Sequence, residues 1–231
     1  MGRALRVNLG GYVYHALNRA NARLPLFTKD GDYAAFERVL TEACQRFSMP
    51  LLGYCLMPNH WHLVLWPQQD GLLSRFMNWL TLTHTQRWHA HRHNSGSGHL
   101  YQGRFKSFVV QENERFLTVC RYVERNALRA GLVRRAEAWR WCSLWRRVAG
   151  SAEEAALLSR WPVSYPSNWV EEVNRPQTEG ELAALRRSVE RGRPFGGERW
   201  VQKTAALLGL ETTLRPRGRP KKQITGSNKG S

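Results

Sequence analysis

Two short stretches of this chain carry side chains whose types and spacing could do chemistry. In "NHWHLV", His60 and His62 stand one residue apart inside an apolar run. On a β-strand, residues i and i+2 project from one face, so the two imidazoles point the same way while Trp61 and Leu63 point the other. Such a pair can hold a divalent metal and leave coordination positions open. It can equally be a pair of core or edge histidines satisfied by hydrogen bonds, and an isolated H-x-H does not choose between the two. In "CRYVERNAL", Tyr122 and Asn126 are four residues apart, which on a helix sets them on one face, offset from a core stripe of Phe116, Val119, Cys120 and Val123. The amide oxygen of Asn126 is a hard ligand suited to Mg²⁺ or Mn²⁺, and Tyr122 offers a hydroxyl beside it. A half-buried tyrosine and a capping asparagine would read the same way.

A second histidine group competes for the metal. "WHAHRHNSGSGH" holds His89, His91, His93 and His99, with His89 and His93 four apart on a helical face. These lie at the polar C-terminal end of a helix, where cationic side chains are favoured by the helix dipole, and solvation there accounts for them. Cys44, Cys55, Cys120 and Cys142 are scattered through apolar segments without C-x-x-C spacing and read as buried thiols.

The elements that must position these residues follow from periodicity. "GYVYHALNR", "PLLGYCLM", "HWHLVLW" and "GRFKSFVVQ" are β-like runs, the middle two separated only by Pro58 and Asn59 as in a hairpin. "DYAAFERVLTEACQRF" and "LLSRFMNWLTLTHTQRWHAH" have apolar residues at helical spacing, and "NERFLTVCRYVERNALRAGL" reads as one further helix. The order predicts an α+β fold: a ferredoxin-like β-α-β-β-α-β core with an antiparallel sheet, helices on one face and an extra helix appended. Past residue 149, three prolines break "SRWPVSYPSNWVEEVNRPQTEG" into an irregular connection, and "ELAALRRSVERG" and "ERWVQKTAALLGL" are short helical patterns. The tail "RPRGRPKKQITGSNKGS" is nearly devoid of apolar residues and is expected to stay flexible until bound.

The chain has 231 residues, and its 42% apolar content is enough to bury a core and exclude a disordered protein. Its formal charge of +17 calls for a polyanionic partner, nucleic acid first and an anionic membrane surface second. No run approaches the ~20 apolar residues of a bilayer span, and the N-terminus lacks the apolar core of a signal peptide, so a cytoplasmic location without membrane association is expected.

Taken together, "NHWHLV", "YQGRFKSF" and "RYVERNALRAGLV" resemble the single-tyrosine HUH transposases, and among them the REP-associated tyrosine transposases, relatives of the smallest insertion-sequence transposases. The C-terminal "RGRPFGGERWVQKTAALLGLETTLRPRGRPKK" is similar to an extension of that subgroup, so the resemblance covers nearly the whole chain. One departure is Ala127, where the family commonly has proline. The resemblance implies a nuclease and transposase domain over 1–148, a connection over 149–176, a helical extension over 177–213 and a basic tail over 214–231. It implies a divalent metal, Mg²⁺ or Mn²⁺, on His60, His62 and Asn126. It further implies attack by Tyr122 on a single-stranded DNA phosphate, giving a 5′-phosphotyrosine and a free 3′-OH. The implied substrate is palindromic repeats that form hairpins beside a single-stranded guide sequence.

Arg104 and Lys106 alternate on the fourth strand, and Arg121, Arg125 and Arg129 lie near the tyrosine at helical spacings, so all five are candidate DNA-backbone contacts. Arg217 and Arg219 in "RPRGRPKK" resemble an AT-hook entering a narrow minor groove, with non-specific tethering as the plain alternative. Three readings stand: a metal-dependent transesterase, a hairpin-binding regulator that does not cut, and a replication or conjugation initiator of the same chemistry, against which the absence of a helicase motif counts. Monomer or homodimer, and action of the tyrosine in cis or in trans, stay open.

Overall fold

In a computed structural model of the chain, which describes residues 7–93 and 98–215, the core elements run β1 (Val13–Arg19), α1 (Asp30–Phe47), β2 (Leu51–Met57), β3 (His60–Leu65), α2 (Leu72–Arg92), β4 (Lys106–Val110) and α3 (Glu114–Glu124). The sheet of the described residues has the order β2-β3-β1-β4, with every neighbouring pair antiparallel. This is the ferredoxin-like arrangement expected from the element order. The two-residue Pro58–Asn59 connection forces β2 and β3 into a hairpin.

Alternation along each strand splits the side chains between two cores. One face carries Tyr14, Ala16, Tyr54, Leu56, Trp61 and Leu63 against Phe36 and Leu40 of α1 and Phe76 and Leu80 of α2. The other carries Val13, Cys55, Val64, Phe108 and Val110 against Phe116, Val119 and Val123 of α3. The appended helix thus covers the face that α1 and α2 leave open. Asn113 caps it, its side chain accepting from Arg115 N at 3.0 Å.

The helix anticipated over 113–132 is two. α3 stops at Glu124, Arg125 takes ψ −4°, and a short α4 (Asn126–Arg129) follows. Next come α5 (Ser143–Val148), α6 (Ala152–Ala155), α7 (Trp169–Asn174), α8 (Glu179–Arg191) and α9 (Glu198–Leu207). The stretch anticipated as an irregular connection contains α6 and α7 and is anchored in the second core. There the Trp161 indole donates to the Leu52 carbonyl at 2.6 Å and the Trp169 indole to the Glu124 carboxylate at 2.7 Å. That core continues to Leu185 and Phe195, so it runs across the boundaries drawn at 148 and 176. A Thr178/Glu181 capping box starts α8, and Gly192 at φ 70° ends it, a conformation open to glycine without strain.

Both sheet edges are sealed by later chain. At β2, Leu56 N donates to Trp141 O at 2.9 Å and Ser159 N to Leu51 O at 2.8 Å. At β4, Phe195 N donates to Val109 O and Gln111 N to Phe195 O, each at 2.9 Å. Edge groups paired in this way are closed to strand addition by another molecule. Between α1, β2 and α5, Glu37 accepts from Arg146 at 2.8 Å and from the Tyr54 hydroxyl at 2.5 Å, and Arg146 also donates to that hydroxyl. All three groups are buried. Among the described residues no helix is long and apolar enough to cross a membrane.

Candidate active site

Strand register assembles the site on the α3 face. His62 lies between Leu17 of β1 and Cys55 of β2, and Leu17 in turn lies opposite Lys106 of β4. One rung along, His60 sits between Arg19 and Met57. The two imidazoles meet edge to face with ring centroids 5.1 Å apart, while Trp61 between them is fully buried in the opposite core. α3 lays Tyr122 over this surface, its ring edge-on to His62 at 5.7 Å and to His15 at 6.2 Å. Phe116, Val119 and Val123 seat the helix apolarly. Glu124 pins it to the C-terminal region by accepting from Ser143 Oγ at 2.5 Å and from Trp169.

Charge around Tyr122 is positive. The Arg129 guanidinium lies 4.3 Å from the Tyr122 ring centroid and donates to Asn126 Oδ1 at 2.8 Å. Arg19 and Arg129 add to burial in holding His60 and His62 in the neutral form. Burial is the main cause and brings His60 down to about 4, while His62 goes well below the usual histidine value, with His15 and His60 also contributing. Neutral imidazole is the ligating form. His60 Nδ1 is engaged with the Asn59 side chain at 2.7 Å, leaving Nε2 as its open nitrogen.

The donor set fits a divalent cation. It offers two neutral imidazoles on one face and, from Asn126, an amide oxygen that keeps a second lone pair beside its bond to Arg129. Asn126 Nδ2 and Arg129 Nη1 are buried N–H donors without hydrogen-bond partners, which suits an acceptor oxygen beside the site and not the cation itself. Among the described residues no group of three or more His, Cys, Asp or Glu side chains is arranged for a metal, so any ion here relies on the amide.

The predicted basic contacts divide. Arg129 is at Tyr122, Lys106 is exposed beside Leu17, and Arg104 is exposed in the turn before β4 rather than on the strand. Arg121 and Arg125 are engaged within the fold. Arg121 donates to Pro176 O at 3.1 Å and reaches Glu181 at 3.5 Å, and Arg125 donates to Val173 O at 3.0 Å and to Asn174 O. Carbonyls at the C-terminal end of α7 and just past it draw both guanidinium groups into the fold, where they clamp the tyrosine helix. Arg217 and Arg219 lie outside the described residues. His91, His93 and His99 are exposed around the end of α2, where His93 is the left-handed cap at φ 50°.

A family model described as transposase, IS200-like, matches residues 9–126, from the residues before β1 to Asn126. The chain belongs to the IS200-like transposase family. Among solved structures it is similar to a REP-associated tyrosine transposase bound to a REP hairpin, with 17% identity over 72% of this chain and 96% of that one and a TM-score of 0.54. A Deinococcus radiodurans protein solved as a candidate transposase is 19% identical over 54% of this chain and 95% of that one, with a TM-score of 0.37. No curated protein sequence matches. The first likeness supports the fold this IS200-like chain adopts.

Two residues of the site escaped the sequence reading, His15 and Arg19. Their signal was present in "YHALNR": once that run is a strand, His15, Leu17 and Arg19 alternate onto one face. That this face is the one carrying His60 and His62 depends on β1 pairing with β3.

Proposed function

We propose that this chain is a transposase that nicks and rejoins single-stranded DNA at hairpins of repetitive extragenic palindromes, with Tyr122 as nucleophile. Mg²⁺ or Mn²⁺ would be held by His60, His62 and Asn126. The observation that carries this reading is the contact of Tyr122 with His62, 5.7 Å between rings, made within one chain by residues sixty apart in sequence.

A metal held by His60, His62 and Asn126 would supply polarisation of the scissile phosphate. The Tyr122 hydroxyl attacks phosphorus, the Tyr–O–P bond forms as the P–O bond to the 3′ oxygen breaks, and a free 3′-OH leaves. Rejoining reverses these bonds with a 3′-OH as attacking group, so no external energy source is needed. Arg129 puts a fixed positive charge over the nucleophile's ring, where an incoming phosphate meets it. Lys106 and Arg104 extend that charge along the edge of the sheet and steer the backbone of the strand. Apolar packing beneath Tyr122 and the Glu124, Arg121 and Arg125 clamps fix its approach.

The test is incubation of the full chain with a hairpin-bearing single-stranded oligonucleotide and Mn²⁺, read as a covalent adduct on a denaturing gel. The adduct should form with wild type and disappear with Tyr122→Phe. Hairpin binding without any adduct would instead identify a regulator that recognises repeats and leaves them intact.

A further inference from the structure

One fully buried histidine has no part in the chemistry above. His15 sits on β1 opposite Val64 and Phe108, diagonal to His62 on the neighbouring strand. Its Nε2 is 2.9 Å from His62 Nδ1, the two rings stack with centroids 5.0 Å apart, and Phe108 packs on the His15 ring at 4.9 Å. His15 Nδ1 is buried and has no hydrogen-bond partner.

Two neutral imidazoles share that contact through one proton, which admits two arrangements. If His15 Nε2–H donates, His62 accepts at Nδ1 and must carry its own proton on Nε2, which closes His62 to a metal. If His62 Nδ1–H donates, its Nε2 lone pair is free, and the His15 proton moves to Nδ1. A histidine ligand is set in its ligating tautomer by a partner that accepts from the other ring nitrogen.

We infer that His15 is the positioning residue of the metal site: it accepts the His62 Nδ1 proton, selects the tautomer whose Nε2 can ligate, and fixes the ring plane by stacking. The role rests on the metal-site reading of His60, His62 and Asn126. The second arrangement leaves an unpartnered N–H in the core, so the pair favours the closed tautomer without metal and the open one with it.

The experiment measures Mn²⁺ alone binding to the full-length protein, by the electron paramagnetic resonance signal of the free ion. It uses wild type, His15→Phe, His15→Gln and His62→Ala. Phenylalanine keeps the stacking and removes the acceptor, whereas glutamine keeps a polar atom near the Nε2 position. His15→Phe should bind Mn²⁺ roughly 10–100-fold more weakly, the usual loss when a ligand's outer partner is removed, and His15→Gln should recover most of the affinity. Long-range ¹H–¹⁵N spectra of Mg²⁺-loaded wild type should place the His62 proton on Nδ1. The inference is overturned if His15→Phe binds as wild type does, if His15→Gln is as weak as His15→Phe, or if the loaded protein carries the His62 proton on Nε2. The spectra decide the matter should His15→Phe not fold. Undiminished Mn²⁺ binding by His62→Ala would bring down the metal-site reading itself, whereas loss there with none in His15→Phe brings down only the role of His15.

Discussion

The eight histidines of this chain divide into two groups with opposite fates. His15, His62 and His84 are buried and His60 nearly so, each held by a specific neighbour, whereas half-buried His89 and exposed His91, His93 and His99 lie around the end of α2. By spacing alone the α2 group is the denser and has the more familiar i,i+4 pairing. What separates the groups is the surface on which they stand. A strand in the middle of a sheet, or for His84 the core-facing side of α2 one turn and more before its end, delivers side chains away from water, which keeps imidazoles neutral and aimed. A helix end delivers them into solvent. The same division runs through the ion pairs: Arg146–Glu37 is enclosed between α1, β2 and α5, whereas Arg87–Glu42 lies on the surface with its side chains 52% and 43% exposed.

Each side of that comparison can be attacked by substitution. The largest effect should come from His62→Ala, which ought to reduce covalent adduct formation by more than about 100-fold, beyond the usual cost of an outer-shell change, while hairpin affinity persists. His93→Ala should leave adduct formation unchanged, and a comparable loss there would move the metal to the α2 end.

Next in size, Arg146→Met strands the Glu37 carboxylate and should cost about 3–5 kcal/mol in denaturant unfolding. Arg87→Met should cost less than about 1 kcal/mol, because its pair is solvated. Similar losses in the two variants would mean that enclosure is not what distinguishes these pairs.

A smaller, pH-dependent effect is expected at His84, whose Nδ1 lies 2.7 Å from the Tyr101 hydroxyl. Burial brings this imidazole down to about 3, opposed weakly by the Asp32 carboxylate. The unfolded chain takes up the proton near pH 6.5, so the contribution is intact above that pH and lost as pH falls towards 3. Between pH 7 and 4, His84→Gln should lose roughly 2–4 kcal/mol less stability than wild type, measured by urea unfolding. His91→Gln should track wild type within about 0.5 kcal/mol.

Much of this was legible in advance. The four strands and the first two helices lie where periodicity puts them, because period 2 and period 3.6 in apolar residues are direct consequences of strand and helix geometry. The break after Glu124 was not legible. "YVERNALRAGL" contains nothing that forbids a continuous helix, and the α4 region is held by tertiary contacts such as Arg129 on Tyr122 and Ala127 in the second core. The intramolecular partners of Arg121 and Arg125 were not legible for a related reason. A guanidinium at helical spacing beside a tyrosine is the same string whether phosphate or the carbonyls of Pro176 and Val173 receive it. The span 149–176 read as a connection because prolines break its periodicity, although Trp161 and Trp169 are among the larger groups closing the second core.

The sequence by itself determined the element order, and with it an α+β sheet, the common face of His60 and His62, and the positive charge. These follow from local geometry and composition, which need no knowledge of what lies opposite. Only the tertiary structure decided that Tyr122 crosses to His62 and that Arg129 covers it. It also decided that His15 reaches His62 from the neighbouring strand, and that segments between the later helices seal the sheet edges while Leu182 and Leu185 of α8 join the second core. Those facts depend on strand order and helix docking, where residues far apart in the chain are brought together by burial of surfaces that no single segment possesses alone.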